Sequence, residues 1–262
     1  MKRYIKIYLQ IIKINIVKLF IYRANFFTSL LSSVGWGVVG IFIMYLLTLR
    51  IESAYGWSRE DLIILAAIYP AFSGIFYMLF AKNIGNLPEI IHSGELDSVL
   101  VKPIDSQFFV STLSIDFIQI FRVILSASFI IIYGHFVTIH ITIFSLALSI
   151  LICIAGISLL YSIWFLVMTI ALWFSTLSNL KDLLYTLVAT MRFPADMFYK
   201  KQGILFLILI PFSLALTVPV KVMLERSTLL DLVILLLISS IFFITSRFFW
   251  KFALRFYTSA SG

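Results

Sequence analysis

The sequence predicts an all-α polytopic membrane protein, and three observations carry that expectation. Apolar residues make up 62% of the 262 residues, against about 45–50% in an ordinary soluble domain. Charged residues are 12%, roughly half the usual share of about 25%. The apolar residues also gather into runs of the length, about 20 residues, that a helix needs to cross a bilayer. A soluble fold of this size cannot hide so much apolar surface.

The net charge is +8, from 20 Lys and Arg against 12 Asp and Glu. A basic balance often signals nucleic acid, but these bases flank apolar runs, the pattern of cytoplasmic loops in membrane proteins. A nucleic-acid partner is therefore not expected, and the bilayer itself is. The single cysteine, Cys153, lies inside an apolar run and excludes an intrachain disulfide. The N-terminus does not read as a signal peptide: its bases continue to Arg23 and no small-residue cleavage site precedes the next apolar run.

The elements follow in order. Residues 1–24 carry Lys2, Arg3, Lys6, Lys13, Lys18 and Arg23, with no acidic residue before Glu52. Lys2, Lys6, Gln10 and Lys13 fall on one helix face, and Ile5, Ile12, Ile16 and Leu19 on the other. This predicts an amphipathic helix lying along the anionic inner leaflet. Residues 25–262 then form one transmembrane domain with six expected spans. The first covers residues 25–49, where Ser29, Ser32, Ser33, Gly35, Gly37 and Gly40 allow close helix packing. Ser58, with Asp61 three residues later, opens the second, residues 62–81, which holds Pro70.

The third run is 108–133, with Asp116 and Arg122 inside it. The fourth lies within 141–174, and the last, 229–249, is opened by Thr228 with Asp231 at the capping spacing. The stretch 183–224 is broken by Pro194, Gly203, Pro211 and Pro219. Basic residues at both ends put both termini in the cytoplasm, which needs an even number of crossings. The loops 82–103 and 175–182 are then cytoplasmic.

Chemistry is scarce. No Walker A sequence occurs, so the chain itself has no such cradle for ATP. His92, His135 and His140 lack partners at metal-ligand spacing. No nucleophile elbow or paired carboxylates point to catalysis. No catalytic residue, metal or bound cofactor is expected.

The longest polar interruption, residues 82–104, is the informative one. Asn86 with Glu89 three residues on reads as a capping box, Pro88 suits a first turn, and Gly94 suits a left-handed stop. These predict a two-turn helix, Leu87-Pro88-Glu89-Ile90-Ile91-His92-Ser93. So short a helix needs a surface to pack on, and from its cytoplasmic side the expected surface is another protein.

The run Ser93-Gly94-Glu95-Leu96-Asp97-Ser98-Val99-Leu100-Val101-Lys102-Pro103 resembles the G-x-L-D-x-x-L-x-[RK]-P motif of ABC-2-type permeases, the membrane subunits of ATP-binding-cassette exporters. Arg192-Phe193-Pro194-Ala195-Asp196, the later Ile210-Pro211-Phe212 with Pro219, and the tail from Trp250 through Leu254-Arg255-Phe256-Tyr257-Thr258-Ser259-Ala260-Ser261-Gly262 are similar to other segments of that family. Asp196 and Ser261 depart from its pattern.

The resemblance implies a fold and a role. Leu87–Ser93 would be a coupling helix against a separate ATPase subunit, with Gly94, Glu95, Asp97, Lys102 and Pro103 beside it. ATP and Mg would sit on that ATPase. A second permease, identical or related, would complete a dimer in the plasma membrane. The family pattern also places a fifth span near 175–193 and two re-entrant half-helices, 199–210 and 212–224, on the outer side. Charge alone, from Arg192, Lys200 and Lys201, would instead make 200–224 the fifth span.

Ionisable residues inside a span are functional candidates. Asp116 and Arg122 are about 240° apart on a helix and so do not face each other. They are candidates for the substrate path or for packing between helices. A transporter or channel subunit driven by an ion gradient would need more such groups and a repeat, and no repeat is visible. A membrane enzyme acting on lipids ranks last, for want of a site.

Overall fold

The computed structural model describes residues 2–21, 23–50, 52–137, 141–174, 179–199 and 203–258. The readings that fall on His140, residues 175–178, Lys200, Lys201 and the final Ser259-Ala260-Ser261-Gly262 lie outside the described residues.

Helix α1 (Lys2–Ile21) leads into α2 (Arg23–Leu47). Lys6, Gln10 and Lys13 of the expected polar face are exposed. A two-residue hairpin follows, β1 (Ser53–Ala54) with β2 (Trp57–Ser58). Its turn residues Tyr55 and Gly56 both have positive φ, the conformation that matches strand twist in a tight hairpin. Helix α3 (Arg59–Phe76) starts at the predicted capping box: Asp61 N donates to Ser58 Oγ and Ser58 N to the Asp61 carboxylate. The helix continues through Pro70, then widens into a π-helical turn at Tyr77–Ala81 and resumes as α4 (Lys82–Gly85).

Short helices α5 (Leu87–His92), α6 (Glu95–Leu100) and α7 (Ser106–Ser111) build the 82–111 segment. A 3₁₀ turn at Phe117–Gln119 opens α8 (Ile120–Phe136). Helix α9 (Ile143–Thr169) ends in a 3₁₀ turn, Ile170–Leu172. Then come α10 (Leu180–Ala189) with a 3₁₀ turn at Thr190–Arg192, α11 (Ala195–Tyr199), α12 (Ile204–Met223) and α13 (Leu229–Ala253). The second predicted capping box is present at Thr228 and Asp231.

Five helical segments among the described residues are long and apolar enough to cross a bilayer: Phe26–Leu47, Arg59–His92, Phe117–Phe136, Ile143–Leu172 and Leu229–Phe256. The sixth crossing expected between 175 and 224 is not one long helix. Phe193 is extended (φ −104°, ψ 140°), as the residue before a proline prefers, and the chain breaks at Pro194. The expected pair of half-helices divided at Pro211 is also corrected: α12 runs unbroken from Ile204 to Met223 with Pro211 and Pro219 inside it. Its neighbours make that possible. Pro219 has no N–H for the Ala215 carbonyl, and that carbonyl lies against Gly156 of α9, where a Cβ would come within 2.1 Å of it. Ser149 of α9 donates to the Pro219 carbonyl at 2.8 Å.

The core lies where α9 meets α3, α12 and α13. Phe76 and Trp164 are fully buried with ring centroids 5.2 Å apart. Phe165 and Trp250 meet edge to face at the same separation. Ser126 ties α8 to α3 by donating to the Ala67 carbonyl at 2.6 Å.

The two ends of the bundle are pinned differently. At the end carrying the hairpin, Arg226 pairs with Asp61, and Thr142 donates to Glu225 at 2.7 Å. At the opposite end, Arg247 of α13 pairs with Asp105, the N-cap of α7, and Trp250 donates to Ser106 at 3.0 Å. The Arg247 guanidinium holds the Asp105 carboxyl below the usual aspartate range, aided by the Phe108 amide.

Candidate functional site

Two features combine exposed or poorly compensated polar groups with a defined scaffold. The first is the α5–α6 pair. Gly94 joins the two helices at φ 75°, the left-handed stop expected there. Leu87 and Leu96 are fully buried, and Ile90, Ile91 and Val99 nearly so. Helix α5 rests on α9 and the Ile170–Leu172 turn, and α6 packs against α5 and α7.

The surface that α5 needs for stability, expected to be another protein, is thus supplied on one face by its own chain. Glu89, His92, Ser93, Glu95, Lys102 and Pro103 are exposed on the other, and Val101 is 84% exposed. Asp97 is half-buried and faces Tyr257, whose phenol burial and that carboxylate push upward in pKa.

The predicted Asn86 cap is a correction. Asn86 is itself helical (φ −92°, ψ −1°) and makes no side-chain cap. Its amide donates to the carbonyls of Lys82 and Asn83, closing α4, and its side-chain oxygen lies 3.5 Å from Lys181 Nζ. Because α4 runs directly into α5, the short helix is a continuation of the second span and needs no separate start.

Asn83 holds this junction. Its Nδ2 reaches the carbonyls of Leu79, Ser111 and Ser114 at 2.8–3.1 Å, and its Oδ1 accepts from the Ser114 amide and hydroxyl. The side chain is buried, so the α4–α5 junction is locked to the turn after α7. The sequence reading did not single out Asn83, because its partners lie about 30 residues away.

The second feature is a cavity of about 620 Å³ between α2, α3, α8 and α10. Asp116 and Arg122 both line it, although they are not ion-paired. Asp116 is absorbed in capping: it accepts from the Ile118 amide at 3.3 Å and from Gln119 Nε2 at 3.0 Å. Arg122 is buried and lies over the Tyr77 ring, 5.3 Å from its centroid. Gly74 allows α8 so near to α3: a Cβ there would be 3.1 Å from both the Gln119 carbonyl and Arg122 Cβ.

Arg192, at the end of α10, lies over Tyr69 at 5.0 Å. Tyr185 and Trp36 complete the aromatic wall, and Ser33 donates to Gln119 Oε1 at 3.1 Å.

Several of these residues had a readable signal. Tyr69 and Tyr77 are eight apart on one helix face, and Ser29, Ser33 and Trp36 follow i, i+4, i+7. Read by itself, the serine stripe meant only close packing. Arg192 entered as a charge favouring one side of the membrane and as part of a family-like segment, not as a companion of Asp116 and Arg122.

A larger cavity of about 980 Å³ beside α1 is lined by aromatic and aliphatic side chains such as Tyr8, Phe80, Tyr161 and Phe243, and its charged residues Asp105 and Arg247 are paired with each other. Pro194, Pro211 and Pro219 line neither cavity; they shape the α10–α12 backbone. Among the described residues no cluster of His, Cys, Asp or Glu could hold a metal ion.

Five long apolar helical segments, with a cavity lined by charged and aromatic side chains among them, define a multi-pass membrane protein. The model of the ABC-2 family of transporter proteins matches residues 34–261. The chain belongs to that family of transporter membrane proteins. No curated protein and no solved structure matches it.

Proposed function

We propose that this chain is the permease subunit of an ABC exporter, pairing with a second permease and with two separate ATPase subunits that carry ATP and Mg. The observation that carries the reading is the α5–α6 pair: an apolar base buried on its own chain, an exposed rim of Glu89, His92, Glu95 and Lys102, and a continuous helical link into the second span. A force applied at that rim is delivered to α3 through α4, and to the turn after α7 through Asn83.

Closure of an ATPase dimer would then move these helices and shift the bundle between states open to either side. The coupling is a free energy shared between two sites, expressed as rigid-body motion. Asp116 and Arg122 fall on the substrate path in this scheme. Helix α1 lies along the inner leaflet with Lys6 and Lys13 toward the headgroups, and both termini are cytoplasmic. In this reading α10 and α11 make the fifth crossing, and α12 is the outer re-entrant element.

The test is co-expression with an ABC ATPase encoded beside the chain, followed by affinity purification and assay of ATP-driven export in inverted vesicles. Stable association, with export lost when Glu89 and Glu95 are both changed to Arg, is the expected result. Failure of the two proteins to associate overturns the reading. Transport that survives ATP depletion but stops when the proton gradient collapses would mark an ion-driven transporter instead.

A further inference from the structure

The charge balance of the polar cavity is unfinished. Two guanidinium groups and one carboxylate line it. Asp116, the carboxylate, spends both oxygens on its own helix cap and on Gln119. Among the described residues the ion pairs use Lys221, Arg226 and Arg247, and neither Arg122 nor Arg192.

Arg122 is 8% exposed, and its Nε has no hydrogen-bond acceptor. Arg192 gives its Nε to the Ala189 carbonyl at 2.9 Å, leaving the two terminal nitrogens beside Gly40. Each guanidinium has a tyrosine ring under one face. That orients it but does not neutralise it.

A buried, unpaired cation inside a membrane bundle is costly and is normally matched by an anion. Tyr69 lies ten residues into α3, about 15 Å from the start of that helix.

We infer that this cavity binds an anionic group, a phosphate or carboxylate, held by the forked donors of Arg122 and Arg192. Planar guanidiniums match such groups with paired hydrogen bonds, which a lysine cannot do. Tyr69, Tyr77 and Tyr185 also line the wall. The volume is that of a pocket for a small molecule or a lipid headgroup. As a substrate site, the cavity rests on the permease reading above and names the class of substrate: one with an acidic group.

The full chain, purified in an uncharged maltoside detergent, is titrated with inorganic phosphate, dodecyl phosphate and, as the opposite charge, dodecyltrimethylammonium. Thermal shift and Trp fluorescence report binding. Dodecyl phosphate is expected to stabilise the chain saturably and the cationic amphiphile is not. Arg192→Gln should weaken the phosphate isotherm by at least about tenfold. Arg122→Lys should fall between wild type and Arg122→Gln, because it keeps the charge and loses the fork.

Competition by inorganic phosphate assigns the site to a free anion; binding of dodecyl phosphate alone assigns it to a lipid-like headgroup. Equal stabilisation by the cationic amphiphile, or an isotherm unchanged in Arg192→Gln, overturns the proposal. If Arg122→Gln does not fold, the half-buried Arg192 decides. Binding here needs no ATPase, so the two readings fail separately: a chain that binds phosphate but never meets an ATPase loses the transporter role and keeps the site.

Discussion

Lys221 of α12 places its ammonium 2.9 Å from Asp196 of α11 and 3.5 Å from Asp231 at the start of α13. The other oxygen of Asp196 accepts from the buried Trp57 indole at 2.9 Å. Asp196 departs from the family pattern in sequence, and here it ties the segment after Pro194 to the hairpin and to α12. Lys221→Met would leave two carboxylates facing each other, half-buried and without their cation. The expected cost is about 1–3 kcal/mol in unfolding free energy. A double-mutant cycle with Asp196→Asn, read by thermal unfolding in detergent, should show coupling between the two positions. Strict additivity would mean the pair is an incidental contact.

Gly156→Ala is expected to be among the most damaging small changes in the bundle. Its Cβ would sit 2.1 Å from the Ala215 carbonyl oxygen, which is backbone and cannot rotate away. That carbonyl has also lost its helical donor to Pro219, so pushing α12 outward removes its remaining neighbour. Overpacking of this kind costs about 1–3 kcal/mol. Gly35→Ala, with nothing within 4 Å of the new methyl, is the control and should not lower the melting temperature.

The local signals were legible and the distant ones were not. Ser58 with Asp61, and Thr228 with Asp231, are read three residues apart, and both boxes form. Gly94 is left-handed for reasons contained in one residue. Asn86 misled because its capping spacing is real, while the preceding helix runs directly into α5 and closes on its amide. Pro211 and Pro219 misled because a helix with two interior prolines is tolerated only where another helix covers it, and α9 lies far away in sequence. The cavity was half visible: Asp116 and Arg122 were candidates as charges within a span. Arg192 joins them only through the crossing of α10 beside α3, a tertiary fact that no spacing encodes.

Acid should loosen the end of the bundle held by Asp105 and Arg247. The folded-state pKa of Asp105 lies below its unfolded value of about 4. The stabilisation is therefore present above that unfolded value and is lost as pH falls through the lowered folded one. Melting temperature measured against pH should drop more steeply on the acid side for wild type than for Asp105→Asn. Asparagine can keep the cap to the Phe108 amide and discards the charge. The pair is partly exposed (28% and 36% for the two side chains), so the difference at neutral pH should be only about 1 kcal/mol. Parallel acid limbs in the two proteins would assign the acid sensitivity elsewhere.

The rim and the base of the α5–α6 pair should separate under mutation. Glu89 and Glu95 are exposed, so changing both to Arg is expected to alter stability by no more than about 0.5 kcal/mol per site. Association with the ATPase should weaken sharply, since the charge of Glu89 and Glu95 is reversed at the proposed contact. Leu96 is fully buried, and Leu96→Ala should cost about 2–5 kcal/mol whether or not a partner is present. Asn83→Ala is the informative third variant. It leaves the rim intact but releases the Ser111 and Ser114 carbonyls that lock the junction to the turn after α7. If the pair transmits force, this variant should still bind the ATPase while losing more export than binding. Export falling only in proportion to binding would make Asn83 a structural residue and leave coupling to α3 alone.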